Sequence, residues 1–420
     1  MSLVKGTARL GVGLAVMLAC VSGASLTEQS VYACAADSVE FPIWTSLSGS
    51  GLAFFLERSG AIYLVANGEE WGPFKEVREF KFSSDGSKWG LIAGSKRNWF
   101  VFVNGKKWGP YLDAWNINFS PDGSLWGFVG FKLTKDGVLY AVVVVNGKEQ
   151  VYKDAREPIF SANTSKWGFV ARGDSGEYVF VGNEKWGPYS NIISGPVFSP
   201  SGSSWGFVAG RSGKCYVVIN GEKTEGPYEL VWSLTFSPSG SRYGYAFEKG
   251  GKHYILVDGE ELGPYQSVGH LEFSPGGERW FAEVLRREGW YIISESKSWG
   301  PYDAVRGPEF SPDGSKWGFV GKKGDKWYVV VGGREWGPYQ RAWGLKFSQD
   351  GSSWWVAANR KGEWYAVVNG REWGPYGEIL SPAESPDGSA VFYAAAKTSE
   401  VDPKTLCPIW KIIRIKIKPD

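Results

Sequence analysis

Methionine and histidine are nearly missing from this chain of 420 residues, with two of each beside four cysteines. His253 and His270 are the only imidazoles, and no carboxylates cluster beside them, so a metal site or a Ser-His-Asp triad lacks its components. Cys-x-x-Cys and His-x-x-x-His pairs are absent, as is a glycine-rich phosphate loop. No catalytic residue, metal ligand or cofactor is therefore expected. An excess of one charge sign is missing too. Lys and Arg total 46 against 44 Asp and Glu, a net +2, so no global field points to nucleic acid or an anionic membrane. Long apolar runs are also lacking. None reaches the ~18 residues of a membrane-spanning helix, so no transmembrane span is expected.

The one apolar stretch that stands out is Leu10 to Val21. Lys5 and Arg9 precede it, and Ser22-Gly23-Ala24 follows, the three-part pattern of a secretory signal over residues 1–24. Removing Lys5 and Arg9 leaves 44 basic against 44 acidic residues, a formally neutral mature chain. Met17-Leu18-Ala19-Cys20 resembles a lipoprotein box, which makes a lipid anchor at Cys20 the alternative to cleavage after Ala24. A cut after Ala33-Cys34-Ala35 is a further alternative. Either way the protein is expected to be exported, to the periplasm or the cell exterior.

Glycine and aromatics are plentiful: 57 Gly, 23 Trp, 20 Tyr and 24 Phe. Together they suggest many short strands joined by tight turns. Their spacing is periodic. Ser311-Pro312-Asp313-Gly314-Ser315-Lys316-Trp317-Gly318-Phe319-Val320 recurs with variations, its turn position falling at Ser48, Asp85, Asp122, Asn163, Ser201, Ser239, Gly276, Asp313, Asp350 and Asp387. A second marker keeps step: Trp71-Gly72-Pro73-Phe74, then Trp-Gly-Pro-Tyr from Trp108, Trp186, Trp299, Trp336 and Trp373. Softened copies start at Glu225 and Leu262, and Gln150-Val151-Tyr152 is a degraded one.

Each unit of ~37 residues divides into four strands. In residues 341–376, Leu345-Lys346-Phe347 precedes the turn Gln349-Asp350-Gly351, and Trp354 to Ala358 is a nearly all-apolar strand. Trp364 to Val368 ends at Asn369-Gly370, a two-residue hairpin signal, and Trp373-Gly374-Pro375-Tyr376 closes the unit. Its proline cannot donate to a ladder, which places it on a sheet edge. One such sheet cannot bury both faces, so the units must stack. Trp89, Trp126, Trp167, Trp205, Trp280, Trp317 and Trp354 share one second-strand position and form the expected core between sheets, with Tyr243 substituting once.

The Phe-Ser-Pro-Asp-Gly turn followed by an apolar strand resembles the WD-repeat-like β-propeller repeat of the TolB family and of many bacterial exported proteins. The resemblance covers residues 39 to about 418 and implies an all-β propeller of about ten four-stranded blades, as one ring or as two five-bladed rings in tandem. TolB-type proteins carry an α/β domain before the propeller, and none is expected in these residues. Propellers of the prolyl oligopeptidase group accompany a hydrolase domain, which is not expected here either. The tenth unit, residues 377–418, has only three strands, and Ser30 to Ala35 within the segment 25–38 is available to close it. Cys34 and Cys407 flank that junction, so a Cys34–Cys407 disulfide is expected in an oxidising compartment. Cys215 reads as an inert buried thiol.

Gly202-Ser203-Ser204-Trp205-Gly206 matches the Gly-x-Ser-x-Gly nucleophile elbow. The place of Ser204 is taken in other units by Lys88, Leu125, Lys166, Arg242 and Lys316, which makes it an ordinary turn residue. The remaining signal is charge. Turns between second and third strands are rich in cations, and Arg58, Lys96, Arg97, Arg286, Arg287, Lys322, Lys323, Arg360 and Lys361 form a candidate basic binding rim. The reading that follows is a non-catalytic, exported interaction scaffold whose rim receives a protein partner or an anionic ligand. The alternatives are a lectin-like or small-ligand binder using Trp99, Trp115, Trp232 and Trp343, or an enzyme with a loop-built site and no recognisable motif.

Overall fold

The computed structural model describes residues 51–379 apart from Ser296, and outside them the backbone of strands Ala15–Leu18, Gln29–Ala33, Ser38–Thr45, Ala383–Glu384, Val391–Val401 and Pro408–Lys416. The chain is all-β, with nine four-stranded antiparallel blades and no helix among the described residues. Blade 8 shows the pattern: Ala304–Phe310, Trp317–Lys323, Lys326–Val331 and Arg334–Tyr339, each strand paired with its predecessor. In blade 4 the first strand is split into Asp154–Ala155 and Ile159–Phe160, both paired with Trp167–Arg172. Pro158 lies between the two pieces and has no N–H to give the ladder.

The turn between first and second strands is built on a buried serine. Ser311 Oγ accepts the Lys316 N–H at 2.8 Å and donates to Asp313 at 2.6 Å, while the Ser315 N–H reaches the same carboxylate at 3.0 Å. Ser83, Ser120 and Ser348 repeat this arrangement with an aspartate, Ser161 does so with Asn163, and Ser199 and Ser237 with a serine. Ser274 only accepts the Arg279 N–H, and all seven are buried. Ser204 donates its N–H to Ser199 Oγ at 3.1 Å, so the Gly-x-Ser-x-Gly match is one of these turns. The Asn-Gly hairpins serve the blade as well. Asn104, Asn146, Asn220 and Asn369 accept through Oδ1 the N–H of the tryptophan that opens the second strand, at 2.8–2.9 Å. Asn tolerates the left-handed conformation this turn needs.

Both sequence markers meet between blades. The edge tryptophan of one blade packs on the second-strand tryptophan of the next: Trp71 on Trp89, Trp108 on Trp126, Trp186 on Trp205, Trp299 on Trp317 and Trp336 on Trp354, with ring centres 4.2–5.4 Å apart. Trp89, Trp126, Trp205, Trp280 and Trp354 are buried, whereas Trp167 and Trp317 are half-buried. Burying ~150–250 Å² of aromatic surface contributes about 4–6 kcal/mol per side chain before entropy is subtracted.

By contacts the chain divides into two compact units, residues 1–227 and 228–420, each carrying five blades. The tenth blade has Glu378–Ile379 and Ala383–Glu384 paired with Val391–Val401, and that strand paired with Pro408–Lys416. A fourth strand was expected from Ser30 to Ala35, but Gln29–Ala33 instead pairs with Ala15–Leu18, a nearby apolar partner. Cys20, Cys34 and Cys407 lie outside the described residues, and with them the lipid anchor and the Cys34–Cys407 bond. Cys215 is buried and forms no disulfide.

Candidate functional site

The last two residues of each second strand stand beside a hairpin tip, and five cations at these positions face the outer strand of their own blade. Arg58 pairs with Glu70 at 2.7 Å, Lys132 with Glu149 at 3.0 Å, Lys249 with Glu261 at 3.5 Å, Lys323 with Glu335 at 2.6 Å and Arg360 with Glu372 at 2.8 Å. The carboxylate sits immediately before the edge tryptophan or its substitute. In three blades the edge tyrosine of the preceding blade completes a triad. Tyr111 donates to Glu149, Tyr302 to Glu335 and Tyr339 to Glu372, at 2.6–3.1 Å. Lys132, Lys323 and Arg360 also lie over those tyrosine rings, 4.9–5.2 Å from the centroids. Gly130 and Gly321 make the approach possible, because a Cβ at either would stand 2.5 Å from the tyrosine ring.

Burial, and then the carboxylate, hold the Tyr111, Tyr302 and Tyr339 hydroxyls above their ordinary range. Burial pushes the Glu335 carboxyl up, but Lys323 and the Tyr302 hydroxyl outweigh it and leave the group below its usual value. These triads are inter-blade fasteners. A count restricted to turn residues overstates the positive rim, because the neutralising carboxylates lie on another strand. The missed signal is a fixed offset: Glu70, Glu261, Glu335 and Glu372 each follow their cation by twelve residues.

The rim thus separates into two sets. Arg58, Lys323 and Arg360 are tied into the blades, and Arg286 lies over Tyr265 and Tyr291. Lys96, Arg97, Arg287, Lys322 and Lys361 have no ion-pair partner among the described residues, and all but the half-buried Lys322 are exposed. Lys96 and Lys361 hold positive φ at their tips, and the Lys96 carbonyl accepts the Trp99 indole N–H at 2.7 Å. Trp99 is accordingly buried, beneath the Arg78 guanidinium at 3.6 Å. Trp232 packs on His253 and Trp343 on Trp364, whereas Trp115 is 40% exposed. His270 bonds Glu272 at 3.2 Å, which raises its pKa. No group of three or more His, Cys, Asp or Glu able to hold a metal occurs among the described residues.

No protein-family model and no curated protein matches the chain. Solved β-propeller structures do. TolB from Acinetobacter baumannii is 12% identical with a TM-score of 0.28, over 58% of this chain and 75% of that one. The β-propeller domain of the Trilobed protease from Pyrococcus furiosus is 13% identical with a TM-score of 0.30, over 72% and 94%. Acylaminoacyl peptidase from Pyrococcus horikoshii is 12% identical with a TM-score of 0.30, over 67% and 56%. Likeness at this level leaves function to the residues.

Proposed function

We propose that this protein is an exported, non-catalytic interaction scaffold that receives an acidic partner on the cations its blades leave free. The observation that carries the reading is the division of the rim. The blades tie down Arg58, Lys132, Lys323 and Arg360 with their own carboxylates, yet Lys96, Arg97, Arg287 and Lys361 have no ion-pair partner among the described residues, and Lys322 has only the longer-range attraction of Asp325. An unpaired cation at a hairpin tip keeps its donors available for a carboxylate, phosphate or sulfate on a partner, and such attraction weakens as salt rises. Export follows from the signal-like residues 1–24.

The test is capture from envelope extracts with the tagged protein, comparing wild type with a triple reversal, Arg287→Glu, Lys322→Glu and Lys361→Glu. Partner recovery is expected to fall at least tenfold with the reversal and to decline with added salt. Reversing Lys323 and Arg360 instead should chiefly lower stability. Recovery indifferent to both the triple reversal and salt would reduce the free cations to solubilising surface.

A further inference from the structure

Blade 3 breaks the repeat twice, and both breaks fall at one place. Elsewhere the outer strand carries Gly-Pro, as at Gly109-Pro110. There Trp108 opposes Val101 and Tyr111 opposes Trp99, so two residues stand against one and the edge is bulged. A bulge and a proline are two of the ways a protein closes a sheet edge to further strands. In blade 3 the single residue Val151 stands where the other blades have Gly-Pro. Lys148–Tyr152 consequently runs in unbroken register with Leu139–Val145, from Val145 opposite Lys148 to Ala141 opposite Tyr152.

The two-residue turn Asn146-Gly147 sets the direction of the backbone groups. Val145 and Lys148 form the hydrogen-bonded pair that closes the hairpin, and bonding alternates from there. The N–H and C=O of Glu149 and Val151 therefore point away from the blade, and among the described residues neither pairs with any other strand. The second break is a longer hairpin between Trp126–Leu133 and Leu139–Val145. Leu133, Val138, Leu139 and Val151 are 46%, 61%, 50% and 62% exposed, and they line an open groove of about 620 Å³. Most of the strongly exposed large apolar side chains of the described residues are gathered here.

We infer that the outer edge of blade 3 is a β-augmentation site for an extended, apolar peptide segment of a partner, flanked by acidic residues. The open edge calls for a strand, because only an extended chain offers donors and acceptors at the matching spacing. The exposed leucines and valines call for alternate apolar side chains. Charge sets the flanks: Lys148 begins the strand, Lys135 stands at the hairpin tip beside the groove, and neither has a carboxylate partner, whereas Lys132 and Lys153 are paired with Glu149 and Asp174. The site uses none of the five cations on which the proposed function rests, and its failure would leave that reading standing.

The probe is a short fluorescent peptide of alternating valine and threonine with glutamate at both ends, titrated into the full chain and read by anisotropy. The decisive variant is Val151→Pro. It removes an N–H that points out of the blade and takes no bond from it, and near-ultraviolet circular dichroism checks that the fold is kept. Wild type is expected to bind in the micromolar range, Val151→Thr equally well, and Val151→Pro at least tenfold more weakly. A double reversal, Lys135→Glu with Lys148→Glu, should weaken binding and restore it for a lysine-ended peptide. Absence of binding to wild type, or binding untouched by Val151→Pro, overturns the proposal. A wild type that sediments as a dimer beside a monomeric Val151→Pro also overturns it, by showing that a second copy of the chain occupies the edge.

Discussion

Blades 8 and 9 and blades 6 and 7 use the same repeat to different effect. Between blades 8 and 9, Trp336 packs on Trp354, and Tyr339, Glu372 and Arg360 fasten the seam. Between blades 6 and 7 the edge tryptophan is Leu262, the carboxylate position holds Ser298, and Arg286 is left to the rings of Tyr265 and Tyr291. A cavity of about 480 Å³ opens beside Leu262, lined also by Arg242, Asp258, Glu260, Trp280 and Glu295. The fold survives the loss of both fasteners because Val257, Leu271, Trp280 and Ile293 still form a buried cluster there. The apolar stack makes the blade, and the polar triad ties finished blades together.

The largest effect that can test this ranking comes from Trp354→Ala. It removes a buried ring from the stack and should cost about 3–5 kcal/mol, read as a lower denaturation midpoint. Glu372→Gln at the same seam keeps the volume and removes only the charge, so it should cost far less. Comparable losses from the two would reverse the ranking.

Ser311→Ala comes next. It leaves the buried Lys316 N–H without its acceptor and frees Asp313, a cost of about 1–3 kcal/mol. Ser237→Ala is the matched comparison, since its turn has Ser239 in place of the aspartate. A similar loss at both would assign the effect to the buried serine; a loss confined to Ser311 would assign it to the carboxylate.

Leu262→Trp runs in the opposite direction. It restores the edge ring at the weak seam, where an aromatic pair with Trp280 is worth about 0.5–1.5 kcal/mol beyond its area. The expected result is a small rise in midpoint. A fall would mean that the space beside Leu262 cannot take an indole as it does between Trp336 and Trp354.

The sequence reading reached different depths at these places. The blades, their four strands and the second-strand tryptophans were legible because each is a local periodic signal: a turn, an alternation, a ring at a fixed interval. Stacking of the blades followed from the need to bury sheet faces, but that the edge ring meets the next blade's second-strand ring is known only from the structure. The charge balance of the rim was not legible turn by turn, because Glu335 and Glu372 reach their cations from the outer strand of the same blade, two strands away. The open edge of blade 3 was visible as the degraded Gln150-Val151-Tyr152 marker. Its meaning depends on register, which shows that Val151 alone replaces a two-residue bulge.

The smallest effect expected is on pH dependence, and it divides the turns rather than the seams. In Asp122 the carboxylate accepts the Ser124 N–H and the Ser120 hydroxyl, which hold its pKa down at about 2, against an ordinary 3.8. Asp313 is lowered in the same way, first by the Ser311 hydroxyl. A group whose folded pKa lies below its unfolded value adds stability above the unfolded pKa and loses it as pH falls through the folded one. The contribution of Asp122 should therefore be complete above about pH 4 and vanish toward pH 2. It is modest, because these turns face solvent and their charges are screened. Ser201 and Ser239 occupy the same position with hydroxyls that do not titrate in this range. Replacing Asp122 and Asp313 by serine should thus flatten the acid limb of a stability–pH curve and lower stability slightly at neutral pH. An acid limb unchanged by the double substitution would place the titrating groups at other carboxyls with lowered pKa, such as Asp85, Asp350 and Glu335, because the half-buried Glu79, Glu283 and Glu309, raised by burial, act in the opposite direction.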